Sequence, residues 1–407
     1  MELRDYQKSI AIQASEKVKE YGFCYIAAEV RTGKTLMALK AAELLNKKNV
    51  LFLTKKKAIK SIEQDFANFG FKFNLLVSNY ENLHNISGKF DLIICDEAHT
   101  LGAFPKPSLR TSNIRKNYYD VDKILLSGTP HPESYSQVFH QFYICRGNPF
   151  IGMNFYQWAK IYVNVKQRQF GHGIVNDYKE VFEAKLFPKI EEYFIRWSQK
   201  SSGFITEIQE EILYVPMQPI TTELTKRLQI DKVVNLIKYD FVADTPVKLM
   251  SKLHQIWSGT CIDEDGTYVI LDNSKAEFIK KHFEGKKIGI FYKFRTELEM
   301  LYKVFGRALT EDLYEFDNTD KIIALQMVSG REGISLKNAE YLVFMNIDFS
   351  AVTYFQARDR MTTNVRTFNK IFWIFAIGGI EGKIYDAVKN KKNYTLRLFK
   401  KDYVLSL

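Results

Sequence analysis

The sequence predicts an α/β protein built from two doubly wound, parallel-sheet lobes in tandem, with a helical insertion and linker between them. Three observations predict it. Short continuous apolar runs alternate with helical patterns from residue 23 to 128, the same rhythm returns after about residue 274, and the stretch 131–245 between them reads differently. A continuous apolar run of this kind suits a strand covered on both faces, as parallel strands are. A chain of 407 residues is also long for one core, so two or three domains are expected. The expected boundaries are 1–150 for the first lobe, 151–245 for the helical elaboration and linker, and 246–407 for the second lobe.

In the first lobe, FCYIAA (23–28) reads as a buried strand, followed by a glycine-containing turn and a helix over 35–48. NVLFLT (49–54) is the next strand, with a helix over 56–69 after it. FNLLVS (73–78), FDLIICD (90–96) and KILLSG (123–128) complete five strands. The middle is richer in helical pattern and aromatics, with helices expected over 158–165, 177–197 and 220–242 and a loop over 168–178. Asp265-Gly266 between alternating residues marks a hairpin over 260–272. In the second lobe, helices are expected over 275–285 and 296–306, strands over 287–294, 321–328, 341–347 and 370–379, and a last helix over 381–399.

Net charge is +11, a surplus that suits a polyanionic partner because Lys and Arg displace the counterions condensed on phosphates. The strongest basic stretches are 54–60 and 389–401. Most of the 31 Phe and 23 Tyr should be core, leaving a few rings to stack on bases. Cys24, Cys95, Cys145 and Cys261 are far apart and form no CxxC pair, so neither a zinc site nor a disulfide framework is indicated. No charged-then-apolar leader is seen, and the longest apolar run, 371–380, is too short to span a bilayer, so a cytoplasmic protein with no membrane partner is expected.

Two motifs carry chemistry. AEVRTGKT (28–35) follows a strand and opens a helix, the context that a phosphate-binding loop requires. In that reading Arg31, Thr32 and Gly33 form the loop and Gly33 lets the backbone approach phosphate. Lys34 reaches the β- and γ-phosphates of ATP, and the Thr35 hydroxyl is a ligand of Mg²⁺. Ala28 stands where the full consensus has another glycine. DEAH (96–99) follows the run LIIC, which puts Asp96 at the carboxyl end of a parallel strand, where ligand clefts form. Asp96 would hold Mg²⁺ and Glu97 would position and activate the attacking water. The two motifs in this order serve one Mg–ATP far more specifically than either does alone.

With these motifs the chain resembles superfamily two helicases and translocases, most closely the Swi/Snf-like branch in its compact phage and bacterial forms. The resemblance implies two RecA-like lobes with the ATP site in the cleft between them. LRDYQ (3–7) is similar to the family's entry motif, which implies that Gln7 reads the adenine edge. LTKKKAIKSIEQDF (53–66) and SNYENL (78–83) resemble segments that lie along a nucleic-acid backbone, which implicates Thr54, Lys55 and Tyr80. SGTP (127–130) matches the coupling motif, placing Ser127 and Thr129, with His99, between the ATP site and strand engagement. IFYKF (290–294) fits the motif that opens the second lobe, and KLHQIWSGT (252–260) the segment leading into it. SGREGISL (329–336) resembles the next motif, with Ser329 toward nucleic acid and Gly333 toward nucleotide. QARDR (356–360) resembles the arginine motif, which implies that Gln356 and Arg360 face the nucleotide, Arg360 as the arginine finger. The family usually carries a second arginine three residues on, where this chain has Thr363; Arg358 or Arg366 would have to substitute, or turnover would be slow. GGIEGKIYDAVKNKK (378–392) is similar to the branch's end segment.

The resemblance implies a nucleic-acid-stimulated ATPase that translocates on duplex DNA, with a recruiting protein as a further partner. A strand-separating DNA or RNA helicase, a packaging- or restriction-type motor subunit, and an ATP-gated nucleic-acid-binding module with little turnover are the competing readings. Localisation would be the cytoplasm of a bacterium or phage-infected host.

Overall fold

The computed structural model describes residues 2–170, 173–203, 206–236, 238–330, 335–363, 366–390, 393–399 and 402–403. The chain divides into two units, Met1–Phe204 and Ile205–Leu407.

The first unit opens with α1 (Asp5–Tyr21), which Gly22 ends at φ 75°. Then follow β1 (Phe23–Ala28), α2 (Lys34–Leu44), β2 (Asn49–Thr54), α3 (Ile59–Phe69), β3 (Asn74–Asn79), β4 (Leu92–Cys95), α4 (Leu109–Tyr118) and β5 (Asp122–Leu126). An excursion of α5 (Gln137–Tyr143), α6 (Phe155–Tyr162), the hairpin β6 (Lys166–Phe170) and β7 (Gly173–Asp177), and α7 (Glu183–Ile190) returns to β8 (Phe194–Trp197). The sheet order is β3-β2-β4-β5-β1-β8, and every pairing in it is parallel. Alternate residues serve opposite faces, as the two-residue strand period requires. Tyr25, Leu51, Leu53, Ile93 and Leu125 join one apolar core, and Cys24, Ile26, Val50, Phe52, Ile94 and Leu126 join the other. The continuous apolar runs are therefore the mark of a sheet covered on both sides.

The second unit begins with β9 (Glu207–Val215), α8 (Pro219–Asp231), the hairpin β10 (Val233–Asn235) and β11 (Asp240–Val242), and α9 (Pro246–Ile256). The hairpin β12 (Thr260–Ile262) and β13 (Tyr268–Ile270), α10 (Ser274–His282), β14 (Ile288–Tyr292), α11 (Arg295–Phe305), β15 (Leu309–Thr310) and α12 (Leu313–Asn318) come next. The unit closes with β16 (Ile322–Gln326), α13 (Met327–Gly330), β17 (Tyr341–Phe344), α14 (Ala351–Arg358), β18 (Phe368–Ala376), α15 (Glu381–Lys389) and α16 (Leu396–Phe399). Its sheet, ordered β15-β16-β14-β17-β18-β9, is again parallel throughout and again two-faced, with Phe291, Phe344 and Trp373 on one side and Ile290, Val343 and Ile374 on the other.

The α/β class with two parallel sheets is as the sequence predicts, and the segment 151–245 is where the structure differs. The helix expected over 177–197 is only Glu183–Ile190, and Phe194–Trp197 is a sixth strand of the first sheet. The loop expected over 168–178 lies in the β6–β7 hairpin. The helix expected over 220–242 stops at Asp231, where Lys232 takes φ 63° and the β10–β11 hairpin follows. β9, which has no counterpart among the expected elements, pairs with β18 along nine residues. The segment is thus divided between the two sheets. The last helix, expected to run over 381–399, is broken into α15 and α16. All four cysteines are free and buried. Among the described residues no helix is long and apolar enough to cross a membrane.

Candidate active site

In the first sheet β5 lies between β1 and β4. The loop after β1, the acidic pair after β4 and Ser127 after β5 therefore emerge side by side at the carboxyl edge, where open α/β sheets place their ligand sites.

The loop after β1 is built by its own side chains and by α1. Thr32 is fully buried and its hydroxyl donates to the Glu29 carbonyl at 2.8 Å. Gln7 is 5% exposed; its Nε2 donates to the Thr32 carbonyl at 3.2 Å, and its Oε1 accepts from the Arg4 backbone N–H at 3.0 Å. The Tyr6 hydroxyl donates to the same Thr32 carbonyl at 3.0 Å. Arg31 takes φ 62° and Gly33 φ 83°. That second angle favours glycine, and a Cβ at Gly33 would lie 2.2 Å from Gln7 Nε2. From Gly33 the chain turns directly into α2, with Lys34 and Thr35 in its first turn. Gln7, expected at an adenine edge, is here a brace of the loop.

Lys34 is half-buried and its ammonium donates to the Glu29 carbonyl at 3.2 Å. Burial pulls its pKa below the ordinary lysine range, against the opposing pull of Glu97, Asp96 and Glu29. Asp96 is braced from two sides. Thr54 donates its hydroxyl to Asp96 Oδ2 at 2.8 Å, and Tyr80 donates its hydroxyl to the Asp96 carbonyl at 2.6 Å. Burial and the neighbouring Glu97 charge push Asp96 up to about 6. Burial pushes Glu97 up too, but the His99 hydrogen bond and the charges of Lys34 and Lys55 outweigh it and hold Glu97 low. Glu97 adopts φ 48°, in the left-handed region. Among the described residues only Arg31, Asn46, Glu97 and Lys232 are non-glycine residues with positive φ, and two of these four flank this site. Strain of that kind persists where surrounding contacts over-determine it.

A short relay continues from Glu97. His99 Nδ1 lies 3.2 Å from Glu97 Oε2 and 3.0 Å from Ser127 Oγ, and Ser127 Oγ accepts from the Thr129 N–H at 3.1 Å. The Thr129 hydroxyl is buried and has no hydrogen-bond partner among the described residues. Beyond it, Gln141 Nε2 donates to the Pro130 carbonyl at 2.8 Å while Gln141 Oε1 accepts from the Tyr25 hydroxyl at 2.7 Å.

Thr54 and Tyr80 correct an expectation. They are 1% and 4% exposed and serve Asp96, so neither offers a surface to a nucleic-acid strand. Beside them Lys55 is half-buried, and Lys56, Lys57 and Lys60 are exposed.

In the second unit, Gln356 lies on α14 and Arg360 on the 3₁₀ turn Asp359–Met361 that follows it; they are 6% and 9% exposed. The Arg360 carbonyl accepts from the Leu336 N–H at 2.8 Å. Both candidates for a second arginine have partners within the second unit. Arg358 Nη1 is 2.7 Å from Glu210 Oε1. Arg366 donates to the carbonyls of Lys337, Ala339, Glu340 and Phe368 at 2.8 to 3.2 Å. The Thr363 hydroxyl accepts from the Arg366 N–H at 3.1 Å. Ser329 lies on α13, and Gly333 lies outside the described residues.

The donor set suits Mg–ATP. A helix N-terminus with oriented N–H groups, a glycine at the approach and a lysine make a phosphate cradle. The Thr35 hydroxyl and the Asp96 carboxylate are the hard oxygen ligands that Mg²⁺ takes. The unspent Thr129 hydroxyl adds a polar group at the same edge.

The site thus belongs to a class of parallel α/β proteins with a phosphate-type loop and an acidic pair on strands one apart in the same sheet. Residues 1–74 match the family model described as "Type III restriction enzyme, res subunit". The helicase domain of Pyrococcus furiosus Hef is similar in fold, at 16% identity and a TM-score of 0.53, over 94% of this chain and 97% of that one. The Sulfolobus solfataricus SWI2/SNF2 ATPase core in complex with dsDNA aligns at 17% identity and a TM-score of 0.44, over 98% of this chain and 92% of that one. Curated proteins give no match.

Proposed function

We propose that the protein is a nucleic-acid-dependent ATPase, and specifically a motor that translocates on duplex DNA in the cytoplasm. The observation that carries the ATPase reading is the convergence on one sheet edge of the braced loop, Lys34, the acidic pair and the His99–Ser127–Thr129 relay. Arg31, Thr32 and Gly33 shape the loop around the phosphates, and Lys34 neutralises the β- and γ-phosphates. Thr35 and Asp96 would hold Mg²⁺, which when bound supplies positive charge to the phosphate oxygens. Glu97, held ionised by His99 and Lys34, orients the attacking water and accepts its hydrogen bond. Gln7 holds the loop, and the resemblance assigns Gln356 and Arg360 to the nucleotide, Arg360 countering charge that develops on the γ-phosphate.

His99, Ser127 and Thr129 report the state of the site to the rest of the first unit. Their link to Glu97 runs through the 3.2 Å contact of His99 Nδ1 with the carboxylate and the hydrogen bonds of Ser127, and it changes when the carboxylate's partners change. The exposed Lys56, Lys57 and Lys60, with Lys55, suit a phosphate backbone and imply salt-dependent binding with little sequence choice, so a recruiting protein would supply the target. Duplex DNA rests on the resemblance of the motif set to the Swi/Snf-like branch. A second reading, the motor subunit of a restriction-type assembly, is favoured by the family match over residues 1–74.

The test is ATP hydrolysis without nucleic acid and with duplex DNA, single-stranded DNA or RNA, beside Lys34→Ala. Stimulation by duplex DNA that the substitution abolishes is the expected result. Preference for single strands or RNA would replace translocation with strand separation. No hydrolysis under any condition, with ATP still bound, would overturn the motor reading in favour of a gated binding module.

A further inference from the structure

Glu210 lies on β9 opposite Ile371 of β18, so its side chain falls on the sheet face that Ile371, Trp373 and Phe375 share. Ile208 and Ile212, two residues to either side, pack against that apolar core. A carboxylate stands where an apolar side chain would fill the same space without a desolvation cost. It is 9% exposed and surrounded by donors. The Tyr354 hydroxyl is 2.8 Å from both its oxygens. Arg358 Nη1 is at 2.7 Å, Trp373 Nε1 at 2.9 Å and the Tyr385 hydroxyl at 3.2 Å.

Two of the four donors sit on α14, and they are four residues apart. Positions i and i+4 share one face of a helix. Gln356, two residues from each, falls on the opposite side of the helical period, and Arg360 is in the turn that α14 runs into. The ring of Tyr354 is also stacked on Trp373 at 5.4 Å, so the gripped face is held laterally as well as polarly.

We infer that Glu210 is a positioning residue for Arg360: one buried carboxylate ties α14 to β9, β18 and α15 and fixes where the arginine turn stands. Arg358 is then a strut of this hub. The inference rests on the proposed role of Arg360, and it deepens that reading by naming what sets its geometry.

The experiment uses the full chain with Glu210→Gln and Glu210→Ala, measured in two ways. In nucleic-acid-stimulated hydrolysis, kcat is expected to fall by about 10- to 100-fold, the loss that misplacing a reacting group brings, while KM for ATP stays within about twofold. Glu210→Gln, which keeps the shape and one acceptor oxygen, should lose less than Glu210→Ala. In hydrogen exchange, protection over 351–361 should drop selectively while the strands of the same sheet stay protected. Wild-type kcat in both variants would overturn the inference. So would a loss of protection spread over the whole second unit with a matching loss of thermal stability, since that marks a merely structural residue. If the wild-type chain hydrolyses no ATP, the functional reading fails by itself; the exchange measurement still decides whether Glu210 holds 351–361, and unchanged protection there overturns the inference.

Discussion

Replacing Gly33 by alanine should weaken ATP binding through Gln7, and the size of the effect should depend on whether Gln7 is present. Gly33 stands at φ 83° and ψ 38°, where a side chain costs about 1–2 kcal/mol. Its Cβ would lie 2.2 Å from Gln7 Nε2, so the amide must leave its place. That amide makes two hydrogen bonds, to the Thr32 carbonyl and from the Arg4 N–H, each worth about 1 kcal/mol net. The loop in its braced conformation is thus destabilised by about 3–4 kcal/mol, or two to three decades of affinity. Gln7→Ala alone should cost only the two bonds, about 2 kcal/mol. In the Gln7→Ala background the clash is gone, so Gly33→Ala should cost only its backbone strain, about one decade. Titration of the four proteins with a fluorescent ATP analogue, with thermal unfolding as a folding control, measures the cycle. Equal losses from Gly33→Ala in the wild-type and Gln7→Ala backgrounds would refute the reasoning, because the two sites would then be energetically independent.

Two further outcomes follow from buried charge. Lys275 and Glu381 form a fully buried pair at 2.6 Å, so Lys275→Met should destabilise the protein by about 3–5 kcal/mol by stranding the carboxylate, whereas Lys275→Met with Glu381→Leu should be close to wild type; urea unfolding measures both, and a double variant as unstable as the single one would count against the account. Asp96 in the free protein is pushed up from 3.8 to about 6, so it binds its proton more tightly folded than unfolded: its ionised form costs stability above about pH 6, and the cost disappears on acidification. Because only the carboxylate can hold Mg²⁺, kcat/KM for ATP should fall as pH drops below about 6, and a profile flat down to pH 5 would remove Asp96 from the metal site.

Where the sequence was legible, the reason is local chemistry. The runs FCYIAA and NVLFLT became β1 and β2 because both faces of the first sheet are covered, so no polar alternation interrupts them. Lys34, Asp96 and Ser127 converge because each follows the end of a strand, and the sheet order brings those strand ends together. Illegible were the features that depend on a distant partner. Phe194–Trp197 sits in a stretch whose charged residues mimic helical spacing, and it becomes a strand only because β1 offers a free edge. β9 carries charged and polar residues among its apolar ones, which masked its alternation; Ile208, Glu210 and Ile212 share a face, and that lone acid among apolar neighbours is the signal that could have found the hub. Thr54 and Tyr80 look like ordinary exposed motif residues until the sheet places them against Asp96. Gln7 stands out in the sequence, but its partner, the Thr32 carbonyl 25 residues on, is not written in its spacing.

β8 finishes the first sheet before residue 198, and β9 starts the second at residue 207. Neither sheet borrows a strand from the other. The exposed Gly203 between them, at φ 80°, lies in no ladder, so residues added there would shift no strand register in either sheet. Chain length at such a joint costs only loop-closure entropy, which grows with the logarithm of length. Residues added at Gly203 would therefore leave both ladders as they are, and would lie beyond Gln199, whose bonds to Glu29 and the Val30 carbonyl tie the end of the first unit to its phosphate loop.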